Sequence, residues 1–318
     1  MIRTLIALAV VLALGAVPQQ TPPPASSQQK PQRPTFYGNT SLVTVEVSVL
    51  SGNKLVRDLV AGDFQIFDNK VAQKVEVVDV ESLPVDVTLV VDVSGSVMYM
   101  IEELQLYTRE VAASLRVDDR FRLVTFSSEV NDRFGLRPAT EIPPIEEIKV
   151  EGATSIFDAL TAALMRTRRA DRRQIVIGLT DGYETASAID GEALKTVAKR
   201  SDSVLHVLLV RAPMMDPTRM VSYPANSRRW WLPNIDIDFE ELGDAAHATG
   251  GEMQELNVRK QIPTFIRQTL EDFRTSYVLR YTPTGVAADG WHDLEVKVRG
   301  GPYKVRARPG YFVKPNRH

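Results

Sequence analysis

Val43, Val45, Val47 and Val49 alternate with Thr44, Glu46, Ser48 and Leu50, the period of two expected of a strand with one buried face. A turn follows at Ser51-Gly52-Asn53, and residues 64–67 and 75–80 read as further strands separated by Asp68-Asn69-Lys70. Residues 39–83 are therefore expected to form an antiparallel β segment, too small to bury a core by itself. After Asp86 the pattern changes to a nearly solid apolar run at 87–91, as in a parallel strand covered on both faces. Helix and strand then alternate. Ile101, Leu104, Val111 and Leu115 share a helical face, residues 121–126 are a strand, and Ile156, Leu160 and Leu164 mark a second helix. Residues 175–179 and 204–210 are buried strands on either side of a helix near 193–200. Phe239, Leu242 and Ala246 give another helix, closed by Gly250-Gly251, and Ile262, Ile266, Leu270 and Phe273 give the last, with Pro263 in its first turn.

This βαβα order predicts an α/β fold over residues 84–276, a doubly wound, mostly parallel sheet with helices on both faces. Strands return at 277–281, 294–298 and, after the Gly300-Gly301-Pro302 turn, 303–308. Neither outer set of strands is large enough to be stable alone, so 39–83 and 277–318 are expected to pair into one small β-rich domain within which the α/β domain is inserted.

Composition narrows the chemistry. With 44% hydrophobic and 25% charged residues the chain has the makeup of a globular protein. Its 38 Lys and Arg against 40 Asp and Glu leave a net charge of -2 and no global electrostatic case for nucleic acid or an anionic membrane. Zero cysteines exclude disulfides, thiolate zinc sites, iron-sulfur clusters and a cysteine nucleophile, and four histidines leave little room for a histidine metal cluster. Residues 1–16 read as a secretory signal peptide: Arg3 precedes an apolar run, and the cut is placed after Ala16. The run falls short of the roughly 20 residues that span a bilayer, which opposes a permanent anchor, although Leu14 before the cut keeps an N-terminal membrane tether open. Residues 17–38, rich in Pro and Gln, read as a linker. The expected location is secreted or periplasmic, with no stable membrane insertion beyond the signal segment.

The candidate chemistry sits directly after the first buried strand, in Asp92-Val93-Ser94-Gly95-Ser96, at the carboxyl end of the sheet where open α/β folds place ligands. A carboxylate and two hydroxyls on alternate residues of a tight loop can converge on one hard cation. Thr154, in Gly152-Ala153-Thr154-Ser155, and Asp181, in Leu179-Thr180-Asp181-Gly182, fall where the fold brings them alongside. Together they make most of an octahedral magnesium shell with a place left over. Each piece alone has a plainer explanation: an Asp-x-Ser-x-Ser turn with hydroxyl caps, an N-cap at Thr154 or Ser155, and a common Asp-Gly turn. It is the combination, in this order and at strand and helix edges, that points to a metal.

At these residues the sequence resembles the von Willebrand factor type A domain, over about 84–276. Asp92, Ser94 and Ser96 match the loop of its metal-ion-dependent adhesion site (MIDAS), Thr154 its threonine and Asp181 its second aspartate. DFQIFDN near Phe64, ATGGEM near Gly250, TSYVLRYTP and RARPGYF look like the narrower family of secreted bacterial proteins related to it. Val97 stands where Met is usual and GATS replaces GGTN, neither of which removes a ligand. The resemblance implies Mg2+ or Mn2+ as cofactor, with an open coordination position that takes an acidic side chain of a partner protein.

Three other features have bland readings. Arg166, Arg168, Arg169, Arg172 and Arg173 are expected to be solvated cations at a helix C-terminus rather than an anion site. The irregular insert at 212–236 carries Arg228, Arg229, Trp230 and Trp231, either as a partner-binding edge or as cover for its own loop. His206, His247 and His292 are placed as structural residues. Enzyme signatures are missing: Ser94 lacks the flanking glycines of a nucleophile elbow, and there is no Walker loop and no zinc-protease helix. The expected function is a non-enzymatic, secreted, metal-ion-dependent protein-binding module. A structural protein whose metal only stabilises the fold is the alternative, and a metal-dependent phosphoesterase is a third.

Overall fold

The computed structural model describes residues 42–52, 54–78, 83–144, 149–166, 171–210, 235–256, 262–287 and 289–313. The expected signal peptide at 1–16, the linker up to 38, and Arg228, Arg229, Trp230 and Trp231 lie outside these residues.

The outer part of the chain begins with β1 (Val43–Ser51), β2 (Lys54–Leu55), β3 (Phe64–Asp68), β4 (Val71–Gln73) and β5 (Glu76–Val78). They do not form one antiparallel unit among themselves, as the sequence suggested. β1 and β5 join one sheet, while β3 and β4 join another. The expected strand at 75–80 corresponds to β5, and β4 is a further short strand that the sequence did not suggest. β4 turns back on β3 through Asn69 and Lys70, both at positive φ, and β5 crosses to the first sheet.

Next come β6 (Val85–Asp92), α1 (Ile101–Ala113), β7 (Arg120–Phe126), β8 (Val130–Pro138), α2 (Ile156–Leu164), β9 (Arg173–Thr180), α3 (Gly191–Arg200), β10 (Val204–Val210), α4 (Ile235–Ala248), β11 (Met253–Leu256) and α5 (Ile262–Arg274). Their strands lie in the order β11-β10-β9-β6-β7-β8, with every neighbouring pair parallel except β7 with β8. β6, β9 and β10 are buried along their whole length, the physical reason for their continuous apolar runs. Alternate residues of β6 serve opposite faces. Val87, Leu89 and Val91 pack with Leu104 and Val111 of α1 and Ile266 and Leu270 of α5, whereas Val90 packs with Leu160 of α2, Leu194 of α3 and Leu242 of α4. α4 ends on Gly250, whose φ of 88° suits glycine, and the Gly251 N–H donates to the Ala246 carbonyl at 3.1 Å.

The chain closes with β12 (Tyr277–Tyr281), β13 (Gly290–Val298), β14 (Lys304–Ala307) and β15 (Gly310–Val313). β1 lies between β12 and β14, and β13 lies between β3 and β15, all antiparallel, so N- and C-terminal strands pair in both outer sheets. Val43, Val45, Val47 and Val49 of β1 share a core with Phe64, Ile66, Leu279 and Leu294. Within that core the buried Asp68 accepts hydrogen bonds from the hydroxyls of Tyr281 and Tyr311, each 2.7 Å, and lies 2.7 Å from His292 Nδ1. His292 is therefore tied into the β core.

The arginine cluster corrects the sequence reading in part: Arg166, exposed just beyond α2, fits it, while Arg172 and Arg173 do not. Arg173 is the first residue of β9, not the end of a helix, and is fully buried. Its guanidinium pairs with Glu46 of β1, donates to the Arg274 carbonyl at 3.2 Å and Ser276 Oγ at 2.6 Å, and lies 4.1 Å from the Phe273 ring centroid. Arg172 pairs with the buried Asp86, which also holds Arg120. These cations serve the junction of the sheets and the start of the parallel strands rather than a solvated helix end; Arg168 and Arg169 lie outside the described residues.

Candidate metal centre

β6 is flanked on one side by β7 and on the other by β9, both parallel to it. The chain leaves β6 toward β7 but leaves β9 toward β10, so the crossovers diverge between β6 and β9, the switch point where open α/β sheets form a crevice at the carboxyl ends of their strands. Asp92 ends β6 and Asp181 follows the last residue of β9, so the topology sets the two carboxylates at the mouth of that crevice.

Backbone bonds knit the surrounding loops together. The Val93 N–H donates to the Phe126 carbonyl at 2.8 Å, Glu151 N–H to the Val93 carbonyl at 3.0 Å, and Gly95 N–H to the Gly152 carbonyl at 3.0 Å. The loop after β6 is thus paired with the loop that carries Thr154. Asp92 is buried, and its Oδ1 accepts from the Ser94 N–H at 2.9 Å and Ser94 Oγ at 2.6 Å. Ser94 Oγ lies 2.9 Å from Ser96 Oγ, and Ser96 in turn hydrogen-bonds Asp181. Asp92, Ser94, Ser96 and Asp181 are consequently one contiguous polar cluster. Thr154 is buried on the adjoining loop.

Thr154 and Ser155 do not serve as the helix cap that their position suggested. α2 receives no side-chain cap from Ser155, whose Oγ donates instead to the Ser127 carbonyl at 2.6 Å. Two participants escaped the sequence reading. Thr180 Oγ1 donates to Asp92 Oδ2 at 2.7 Å and accepts from the Gly182 N–H at 2.9 Å, fixing the second oxygen of Asp92. Glu184 accepts from Ile156 N–H and Phe157 N–H at the start of α2. A hydroxyl just before the second aspartate was the available signal for Thr180; nothing local marks Glu184.

Burial first, then the charge of Asp181, pushes the Asp92 carboxyl up from 3.8 to about 7, against the stabilising bonds from Ser94 and Thr180. Burial likewise raises Asp181, opposed by Ser96 and the Tyr183 N–H. Asp181 Oδ2 is buried with no hydrogen-bond partner, an acceptor left over after the protein's own donors are used. A buried carboxylate pair, an orphan oxygen and adjacent hydroxyls fit a hard divalent cation, which takes oxygen ligands and neutralises the charge that burial penalises. No group of three or more His, Cys, Asp or Glu that could hold a metal occurs among the described residues, so such a cation has to rely on hydroxyls as well as carboxylates. His206, on β10, is buried and pushed down to about 3 by burial and Arg306, which holds it neutral and far from general-base duty.

Gly182 shapes the loop that follows Asp181. Its φ is 88°, and a Cβ would come 2.0 Å from Phe239 Cε1. Gly182→Ala is expected to cost about 1–3 kcal/mol from overpacking and backbone strain, measured as a shift in the urea unfolding midpoint at unchanged slope.

The family model of the von Willebrand factor type A domain matches residues 87–184. No curated protein matches the chain. Among solved structures it is similar to the von Willebrand factor type A protein of Catenulispora acidiphila, at 12% identity over 88% of this chain and 76% of that one, with a TM-score of 0.46. An aerotolerance-related membrane protein of Bacteroides fragilis is 15% identical over 59% of this chain and 98% of its own, with a TM-score of 0.42. Proximal thread matrix protein 1 of the mussel byssus, with zinc in its MIDAS motif, is 14% identical over 64% of this chain and 49% of its own, with a TM-score of 0.44.

Proposed function

From the von Willebrand factor type A domain that this chain carries at residues 87–184, we propose a secreted or periplasmic protein-binding module that grips its partner through a divalent cation. Asp92, Ser94, Ser96, Thr154 and Asp181 would hold the ion, with Mg2+ or Mn2+ favoured by an all-oxygen donor set. The module proper is taken as 84–276, flanked by the β segments at 39–83 and 277–318. The observation that carries this reading is the buried Asp92–Asp181 pair with an unpartnered Asp181 oxygen at the carboxyl edge of the sheet.

A bound cation supplies an electrophilic position for an acidic side chain of the partner, because three of its five proposed protein ligands are neutral hydroxyls. The chain's own residues do the rest. Ser94 and Thr180 hold both Asp92 oxygens in place, and Ser96 bridges Ser94 to Asp181, so four of the five proposed donors are preformed rather than gathered at binding. Partner choice is assigned to the 212–236 insert, with Arg228, Arg229, Trp230 and Trp231 as its contacts.

The test is partner capture from cell-envelope and medium proteins on the immobilised chain, with magnesium, with EDTA, and with Asp92→Ala plus magnesium. A partner retained only by the wild-type chain with magnesium is the expected result. Capture indifferent to metal and mutation, with the metal affecting only thermal stability, would transfer the assignment to the structural reading. Turnover of a generic phosphate ester that disappears in Asp92→Ala would transfer it to a hydrolase.

A further inference from the structure

The start of α2 is capped from another part of the chain. Glu184 Oε2 accepts from the Ile156 N–H at 2.9 Å and the Phe157 N–H at 3.3 Å, while Ser187 Oγ accepts from the Phe157 N–H at 3.1 Å and the Asp158 N–H at 3.2 Å. The same Glu184 folds its own segment into shape. Oε1 accepts from the Ala186 and Ser187 N–H groups, each 2.8 Å, and Oε2 accepts from Ser187 Oγ at 2.7 Å. Asp158 returns the contact by accepting from the Ala188 N–H at 2.9 Å and the Ile189 N–H at 3.2 Å.

Thr154 is enclosed by this strap. Its N–H donates to Thr185 Oγ1 at 2.9 Å, and its carbonyl accepts from the Thr185 and Ala186 N–H groups, each 2.9 Å. Both backbone polar groups of Thr154 are therefore fixed by the segment that emerges from Asp181. A carboxylate that accepts several N–H bonds at a helix N-terminus benefits from charge-assisted bonds and from the helix dipole. The strap is accordingly a stiff bracket between two loops that have no covalent link shorter than the whole of α2 and β9.

We infer that Glu184 is a positioning residue of the metal centre: by bracketing the 182–187 segment to the start of α2 it sets Thr154 relative to Asp181 and so presets the hydroxyl for the ion. This rests on the proposed ligand set and extends it to a residue that touches neither the ion nor the partner. Removing the carboxylate leaves orphan donors at Ile156 and Ser187, frees the loop before α2, and lets Thr154 shift while Asp92, Ser94, Ser96 and Asp181 keep their own bonds.

Magnesium affinity measured by isothermal titration calorimetry on the full chain tests it. Glu184→Ala is expected to weaken magnesium binding by about 10- to 100-fold, the range for loss of a group that orients a metal ligand. Glu184→Gln, which keeps the shape and one acceptor, is expected to fall between Glu184→Ala and wild type, and it serves should Glu184→Ala not fold. The decisive readout is non-additivity: in a Thr154→Ala background the Glu184 substitution should leave the dissociation constant within about twofold, because its effect runs through Thr154. Asp190→Ala is the control, since Asp190 caps α3 through the Ala193 N–H at 2.9 Å and makes no bond to Thr154. It is expected to lower the melting midpoint as a lost cap does, with magnesium affinity unchanged. Unaltered affinity in Glu184→Ala and Glu184→Gln, or losses that add fully to that of Thr154→Ala, would overturn the positioning role while leaving the metal-binding reading intact. No saturable binding of magnesium or manganese by the wild-type chain would overturn both.

Discussion

Arg173→Ala is expected to destabilise the folded chain by about 3–5 kcal/mol, the cost of removing one partner of a buried ion pair. The guanidinium is fully buried and its partner Glu46 is 14% exposed, so neither charge can fall back on bulk water without opening the junction. Alanine leaves Glu46 uncompensated, takes a donor from Ser276 Oγ and from the Arg274 carbonyl, and removes the cation that stacks on Phe273. A surface pair would not behave this way, because solvent screens it to less than about 1 kcal/mol. For a chain of this size the loss corresponds to a melting midpoint lower by on the order of 10 °C. Thermal unfolding of Arg173→Ala, Glu46→Ala and the double variant measures it. Coupling between the two sites should be strongly favourable, so that the double variant loses much less than the sum. A loss below about 1 kcal/mol in Arg173→Ala would show that the contact between β1 and β9 is held by packing alone.

That junction was not legible in the sequence, and the reason is general. Arg173 appears beside four other arginines, where local pattern points to a solvated helix end, while its partner stands 127 positions away among alternating valines. The buried strands β6, β9 and β10 were legible because burial on both faces forces an uninterrupted apolar run. β8 was not. It is an edge strand that buries only Phe134 among nine residues, and so carries almost no apolar signal. β11 is an edge strand of four residues with one of them buried. The contrast recurs at the candidate metal centre. Asp92, Ser94 and Ser96 declare themselves by spacing within one loop, and Thr154 and Asp181 by standing at a helix start and a strand end. Glu184 works by accepting from backbone N–H groups 27 and 28 residues away, and backbone donors carry no residue identity to read.

Asp92→Asn is expected to remove the metal response and, without metal, to leave the protein at least as stable as wild type above pH 7. The sign follows from the raised carboxyl. In the folded, metal-free chain Asp92 is pushed from 3.8 up to about 7, so the native state holds its proton more tightly than the unfolded state does. The stabilisation from that proton is complete below about pH 4 and is lost as pH rises through about 7, a swing on the order of a few kcal/mol. Asparagine abolishes the swing because it cannot ionise. Its oxygen can still accept from the Ser94 N–H and Ser94 Oγ, while its amide can donate to Thr180 Oγ1, reversing the native bond and turning the Thr180 hydroxyl away from residue 92. A divalent cation at the proposed site would compete with the proton: its affinity should strengthen as pH rises toward 7 and level off above it, and magnesium at a hundred times its dissociation constant would add about 2.7 kcal/mol of stability. Urea unfolding of both chains at pH 5, 6, 7 and 8, with EDTA and with magnesium, separates these contributions. Wild type with EDTA should lose stability across that range and recover it with magnesium, while Asp92→Asn should give flatter profiles that coincide with and without the ion. A magnesium response that survives in Asp92→Asn would remove Asp92 from the ligand set. A flat wild-type profile with EDTA would mean that solvent reaches the carboxylate pair, and the electrostatic pressure that favours a cation there would be absent.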